Sequence, residues 1–126
     1  MKYLGVDYGR SKVGISLAVA GLAEPYRVIR YQDLNTLKGQ IAEIVKKEEI
    51  DKIVVGVSEG KSKEEAEDFG KNLSVDAPVV FFDETLSTQL AQALSREAGV
   101  KRKKRKALED AFAASVMLQS FLDSNV

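Results

Sequence analysis

The sequence contains no cysteine and no histidine among its 126 residues. Without cysteine it can form neither a disulfide framework nor a thiolate metal site. Without histidine it lacks the most common general base, the Ser-His-Asp arrangement and every imidazole zinc site. Any catalysis must therefore depend on carboxylates, hydroxyls, lysine or arginine, or on an ion that carboxylates hold.

Long apolar runs are also missing from the sequence. No run approaches the roughly 20 residues that span a bilayer, and residues 1–5 lead into a strand-like segment without the apolar stretch of a signal peptide. We therefore expect a cytoplasmic protein that has no membrane partner. The length and the 44% share of hydrophobic residues predict one globular domain over residues 1–126.

Positive charge is concentrated in one short segment, and acidic residues outnumber basic ones in the rest of the chain. The chain has 19 basic and 19 acidic residues, and six of the basic ones are consecutive: Lys101, Arg102, Lys103, Lys104, Arg105 and Lys106. The rest of the chain carries a charge of −6. A run of this kind is ordinarily a solvated loop, but such an asymmetry also favours contact with a polyanion. Arg10 and Lys12 are expected to contribute to the same nucleic-acid-binding surface.

The pattern of hydrophobic residues predicts a mixed α/β fold. Strands are predicted at residues 2–8, 12–20, 26–31, 53–57 and 78–82, and helices at 34–49, 62–73, 87–98 and 107–122. Ser62 and Glu65 match the capping-box pattern at the start of the second helix. Three consecutive strands followed by β-α-β crossovers predict a mixed five-stranded sheet that is flanked by helices on both faces.

Acidic residues occur at three places in the chain that are unusual for a charged side chain. Asp7 ends the first apolar strand, Asp83 and Glu84 follow the last one, and Asp110 opens an apolar face of the final helix. Each has an ordinary structural explanation, because Asp7 suits a turn, Asp83 suits a helix cap and Asp110 suits a helix N-terminus. Side chains alternate along a strand, so only one of the adjacent pair can share a side of the sheet with Asp7.

The three positions also make chemical sense together. In open α/β sheets, strand ends and neighbouring helix termini converge at one edge. Carboxylate oxygens suit Mg²⁺ or Mn²⁺, and such ions assist phosphodiester hydrolysis by stabilising the attacking water and the leaving oxygen. The hypothesis requires that the acids meet in the folded protein.

The order of these motifs resembles that of the YqgF/RuvX family. The resemblance is carried by Gly5-Val6-Asp7-Tyr8-Gly9, Lys12-Val13-Gly14-Ile15, Asp83-Glu84-Thr85 and Asp110-Ala111-Phe112-Ala113-Ala114, and it extends over nearly the whole chain. It implies a ribonuclease H-like fold and a metal-dependent nuclease that matures the 5′ end of pre-16S rRNA or resolves Holliday junctions. It also implies an active site at Asp7, Glu84 and Asp110, and it is the reason for choosing Glu84 over Asp83.

The sequence departs from this family at two points. The family's Gly-Leu-Pro is replaced by Gly56-Val57-Ser58-Glu59, where Glu59 is either a further metal ligand or a solvated loop residue, and its Asp-Glu-Arg is replaced by Asp83-Glu84-Thr85. The second change removes a cation that could meet phosphate. Substrate preference therefore stays open at this point.

Two other classes of protein compete with the nuclease. One is an ATP-binding domain of the actin or sugar-kinase type, although those proteins enclose the nucleotide between two domains. The other is a catalytically idle module that binds nucleic acid through the basic run. The sequence does not decide between RNA and branched DNA, or between a monomer and a homodimer.

Overall fold

The computed structural model describes residues 1–57, 61–83 and 102–124. The strands are β1 (Lys2–Asp7), β2 (Lys12–Val19), β3 (Leu22–Arg30), β4 (Lys52–Val57) and β5 (Val79–Asp83). They form one sheet in the order β3-β2-β1-β4-β5. The first three strands pair antiparallel, whereas β4 is parallel to β1 and β5 is parallel to β4. The predicted mixed five-stranded sheet is confirmed.

Helices pack on both faces of this sheet. They are α1 (Leu34–Lys47), α2 (Lys61–Lys71) and α3 (Arg102–Ser124). Asp33 caps α1 by accepting a hydrogen bond from the backbone N–H of Thr36 at 3.2 Å, which satisfies one of the free donors of the first turn. None of the described helices is long and apolar enough to cross a membrane.

Alternation along the strands divides the core into two layers. The larger layer joins α1 and α2 to the sheet through residues such as Val6, Ile41 and Phe69. The smaller layer places α3 on the opposite face, where Met117 and Leu118 are fully buried. The strand and helix periods set these faces, because every second strand residue belongs to one layer.

A hydrogen bond between residues that are far apart in the sequence holds α3 close to the sheet. The buried hydroxyl of Ser16 in β2 donates a hydrogen bond to the carbonyl of Ala114 at 2.9 Å. Nearby, a Cβ on Gly5 would lie 3.0 Å from the Cβ of Leu118. The absence of a side chain at Gly5 therefore lets the helix approach β1 closely, which matters for the position of residues further along α3.

Several boundaries differ from the sequence prediction, among them the starts of three elements. Strand β3 begins at Leu22 rather than at residue 26, because its exposed first half lacks an apolar signature. Helix α2 begins at Lys61, so the predicted cap at Ser62 is wrong and Ser62 lies inside the helix. Helix α3 begins at Arg102 rather than at residue 107, so the basic run is not a loop over residues 102–106. The predicted helix at 87–98 lies outside the described residues.

The last strand is partly exposed, although its sequence is almost wholly apolar. Strand β5 lies at one edge of the sheet, and Phe81 is 37% exposed. By contrast, β4 is covered on both faces, as its continuous apolar run predicts.

Gly39→Ala should stabilise the protein by about 0.5–1 kcal/mol. Gly39 lies in the interior of α1 with its surface exposed, and a Cβ there would have no neighbour within 4 Å. Alanine restricts the unfolded chain more than glycine does and favours the helix. Urea denaturation checks this expectation, and an unchanged or lower free energy of unfolding would contradict it.

Candidate active site

Asp7 lies between two glycines at the end of the central strand. It is the last residue of β1, and its direct partners are Gly14 in β2 and Gly56 in β4. Directly paired residues in neighbouring strands direct their side chains to the same face of a sheet. Neither of the two directly paired residues therefore contributes a side chain beyond Cα next to Asp7.

Gly14 identifies the face that Asp7 shares with α3. A Cβ on Gly14 would collide with the backbone carbonyl of Asp110. The side of the sheet to which Gly14 points is therefore the side that the N-terminal half of α3 covers. Since Asp7 points to the same side, the fold brings Asp7 and Asp110 to one edge and one face of the sheet.

Asp110 is engaged by a lysine from β2. Its Oδ2 lies 3.0 Å from Nζ of Lys12, and the side chains of Asp110 and Lys12 are 29% and 42% exposed. Lys12 is two residues from Gly14 and so lies on the same face of β2. Both charges remain accessible to solvent, so a soluble ion or a phosphate can reach them.

The loop after Asp7 is held on the other face of the sheet. Arg10 binds Glu65 of α2 with two hydrogen bonds of 2.9 and 3.1 Å. The hydroxyl of Tyr31 donates to the carbonyl of Gly9, and burial together with a hydrogen bond to Tyr8 raises the pKa of Tyr31. The hydroxyl therefore stays protonated and keeps its role as donor, which fixes the loop that follows Asp7.

Arg10 and Lys12 thus have separate partners. Lys12 is paired with an acid on α3, whereas Arg10 is paired with an acid on α2, which packs on the opposite face. The prediction that both contact nucleic acid stays a prediction. Only Lys12 lies directly beside the candidate site.

The register of β5 separates Asp83 from Asp7. Asp83 is exposed and pairs with Val57, which belongs to the layer beneath α1 and α2. It therefore points away from the face that Asp7 and Asp110 share. Glu84 and Glu59 lie outside the described residues, so their contributions to the site stay predictions.

The basic run lies at the start of α3. The backbone of Arg102, Lys103, Lys104, Arg105 and Lys106 is helical, whereas Lys101 lies outside the described residues. Lys106 precedes Asp110 by one helical turn, about 6 Å along the axis. Basic side chains are electrostatically unfavourable at a helix N-terminus, where an anion is favoured. The prediction that the basic run contacts nucleic acid stays a prediction.

The side chains present suit a hard divalent ion. Asp7 and Asp110 supply carboxylate oxygens, and Mg²⁺ typically takes one or two carboxylates together with water and substrate phosphates. Within residues 1–57, 61–83 and 102–124 no group of three acidic, histidine or cysteine side chains converges, and the predicted third acid, Glu84, lies outside these ranges.

The sequence did not predict the roles of three residues that shape the site. They are Gly14, which permits the approach of α3, and Glu65 and Tyr31, which hold the loop. Gly14 carried a signal, because a glycine inside an apolar strand often marks a close backbone approach. Glu65 and Tyr31 carried none, since their partners are distant in sequence.

The fold resembles those of two proteins that were solved with Holliday junction DNA. RuvC from Thermus thermophilus, solved in complex with a Holliday junction substrate, superposes with a TM-score of 0.62 and 14% identity, covering 99% of this chain and 96% of that one. The Holliday junction resolvase of Fowlpox virus, solved with junction DNA, has a TM-score of 0.59 at 13% identity, with 98% of each chain covered. Both identify the fold as ribonuclease H-like, as the family resemblance implies.

The chain belongs to the RuvX family, described as a Holliday junction resolvase, whose family model matches residues 1–124. Two relatives, from Bacillus thuringiensis strain Al Hakam and Bacillus cereus strain AH820, bear the name "Putative pre-16S rRNA nuclease". Each is 38% identical and covers 98% of this chain and 99% of its own length. The predicted family is confirmed, and it is a family of nucleases, hydrolases that act on the phosphodiester bonds of nucleic acids.

Proposed function

We propose that this protein is a divalent-metal-dependent endonuclease whose active site consists of Asp7, Glu84 and Asp110. The observation that carries the proposal is that Asp7 is paired with Gly14 in the sheet, while the backbone of Asp110 lies over Gly14 on the face to which Asp7 points. A bound Mg²⁺ or Mn²⁺ would supply a nucleophilic water and stabilise the charge on the leaving oxygen. The family resemblance supports Glu84 as the third ligand, and the register of β5, which directs Asp83 to the other face, argues against Asp83.

The protein's own residues position the substrate in this proposal. Asp7 is fixed by the central strand and by the anchored loop that follows it, and Asp110 is fixed by the close packing of α3. Held in this way, the carboxylates need little reorganisation when the phosphodiester arrives. The basic residues at the start of α3 bind neighbouring phosphates, which aligns the scissile bond with the two acids.

The precursor of 16S rRNA is the proposed substrate. The name shared by the Bacillus relatives supports this choice, and those relatives match over their whole length. An enzyme that matures the 5′ end of this RNA would act in the cytoplasm, where the precursor is made in bacteria. The match to a nuclease family over residues 1–124 also argues against the ATP-binding alternative.

Resolution of Holliday junctions is the second candidate function. The description of the RuvX family favours it directly. A junction requires two cuts on opposing strands, so this activity calls for a homodimer. Sedimentation of the protein with and without a four-way junction therefore discriminates between the two functions.

A parallel cleavage assay tests the proposal. Pre-16S rRNA and a four-way DNA junction are incubated with the protein in Mg²⁺, in Mn²⁺ and in EDTA. We expect cleavage of the RNA in either ion and none in EDTA. Cleavage of the junction alone would establish the second function, and nucleic-acid binding without cleavage under every condition would support the catalytically idle module.

Binding of the RNA should depend steeply on salt. Six phosphate contacts correspond to a loss of affinity of about a thousandfold between 50 and 200 mM salt. Replacing Lys103, Lys104 and Arg105 with glutamine should weaken binding and lower the slope of log K against log salt by about 2–3. Fluorescence anisotropy measures both quantities.

A matched control uses the other face of the molecule. Lys46 and Lys47 are exposed at the end of α1, and their replacement with glutamine should leave the slope near that of the wild type. Equal losses from both sets of substitutions would contradict a specific role for the basic run.

A further inference from the structure

The ion pair of Lys12 and Asp110 places a cation on a proposed metal ligand. Nζ of Lys12 lies 3.0 Å from Oδ2 of Asp110, and both side chains are partly exposed. An ion pair with this exposure contributes little to folding stability. The position of this ion pair bears on function more than its strength does, because Asp110 is also a proposed ligand of the metal ion.

A divalent ion and the Lys12 ammonium compete for the same carboxylate. Two positive groups within a few ångströms of each other repel, and the repulsion is stronger at a partly buried site than in bulk water. The ion pair must therefore open or loosen when a metal binds to Asp110. The backbone of Lys12 cannot follow, because it is fixed in β2 opposite Arg30. The released ammonium stays at the same edge of the sheet.

We propose that Lys12 is a positioning residue that couples metal binding to nucleic-acid binding. Resting on the proposed metal site, the inference is that Lys12 neutralises Asp110 while no ion is bound and turns to a phosphate of the substrate once an ion has taken Asp110. A lysine suits this exchange, because its ammonium is a point charge on a flexible stem and binds phosphate without a fixed geometry. Arg10 is different, since its acid Glu65 lies on the other face of the sheet.

Calorimetric titration with Mn²⁺ in the absence of nucleic acid tests the first half of the exchange. Lys12→Met should bind Mn²⁺ about three- to tenfold more tightly than the wild type, because no ion pair has to be broken and a repelling charge is gone. Lys12→Arg keeps the charge and should bind like the wild type. Lys46→Met removes an exposed lysine from α1 on the opposite face and should also bind like the wild type.

The second half of the exchange is measured with a phosphorothioate RNA hairpin, which resists hydrolysis. Mn²⁺ should raise the affinity of the wild type for this RNA, and the increase should be about two- to fivefold smaller in Lys12→Met, where no ammonium is released. This difference separates a positioning role from a purely structural one, which would leave the effect of Mn²⁺ unchanged.

The outcomes distinguish this inference from the proposed function. Equal or weaker Mn²⁺ binding by both Lys12→Met and Lys12→Gln, with circular dichroism like that of the wild type, would overturn the role of Lys12 alone. Mn²⁺ binding that is insensitive to Asp110→Asn would overturn the metal site itself. Tighter binding in both Lys12 variants, lost when Asp110→Asn is added, is the result that the inference requires.

Discussion

Asp7→Asn and Asp110→Asn should each reduce cleavage more than about a hundredfold. Loss of an outer-shell partner alone commonly costs 10- to 100-fold in metal affinity or activity, and loss of a direct ligand should exceed this. Asparagine keeps the size of the side chain but removes the negative charge that would hold the proposed ion. Initial rates on pre-16S rRNA at saturating Mg²⁺ measure the effect.

The fold should survive both substitutions. The ion pair that Asp110→Asn breaks is partly exposed, so the free energy of unfolding should change by less than about 1 kcal/mol. Glu109→Gln is the matched control, because Glu109 is the preceding residue of α3 and has a similar degree of burial. It should retain most of the activity. Loss of activity in Glu109→Gln comparable with that in Asp110→Asn would argue against a specific role for Asp110.

Gly14→Ala should be damaging to both stability and catalysis. The added methyl group would collide with the backbone carbonyl of Asp110, and backbone cannot move aside as a flexible side chain can. Overpacking of this kind costs about 1–3 kcal/mol. The alternative response is a shift of α3 away from the sheet, and a displacement of about 1 Å at a catalytic group can cost a hundredfold in rate.

Gly39→Ala is the natural comparison, because the same chemical change occurs in open space. Chemical denaturation should therefore show a lower free energy of unfolding for Gly14→Ala and a higher one for Gly39→Ala. In cleavage assays only Gly14→Ala should lose activity. Wild-type stability and activity in Gly14→Ala would mean that α3 does not approach β2 as described.

The sequence was most informative where hydrophobic periodicity is strong. It predicted α1 from its apolar stripe, and that helix ends at Lys47 rather than at residue 49. It was less informative at the edges of the sheet, where β3 is largely exposed and contains Pro25, and where a register shift lies between Ile15 and Ser16 in its partner. The start of α3 was not predicted, because the consecutive basic residues contain no apolar side chains at helical spacing.

The sequence singled out the acids of the candidate site but not the partners that they have in the fold. Asp7 and Asp110 stood out because each is an acid in an apolar element, and the fold places them on one face. These two residues are 103 positions apart in the sequence, so the prediction that they lie close together required an assumed topology. The partners Lys12 and Asp110, or Arg10 and Glu65, depend on the register of distant elements, which no local pattern contains. The same register directs Asp83 away from Asp7, which spacing alone left open.

A crystal of the protein soaked in Mn²⁺ gives the most direct test of the central claim, through the anomalous signal of the ion. The account predicts a peak about 2.0–2.3 Å from carboxylate oxygens of both Asp7 and Asp110, with Glu84 as a third ligand and the ammonium of Lys12 displaced from Asp110. Mn²⁺ bound only elsewhere, or Glu84 on the face of the sheet that α1 and α2 cover, would contradict it.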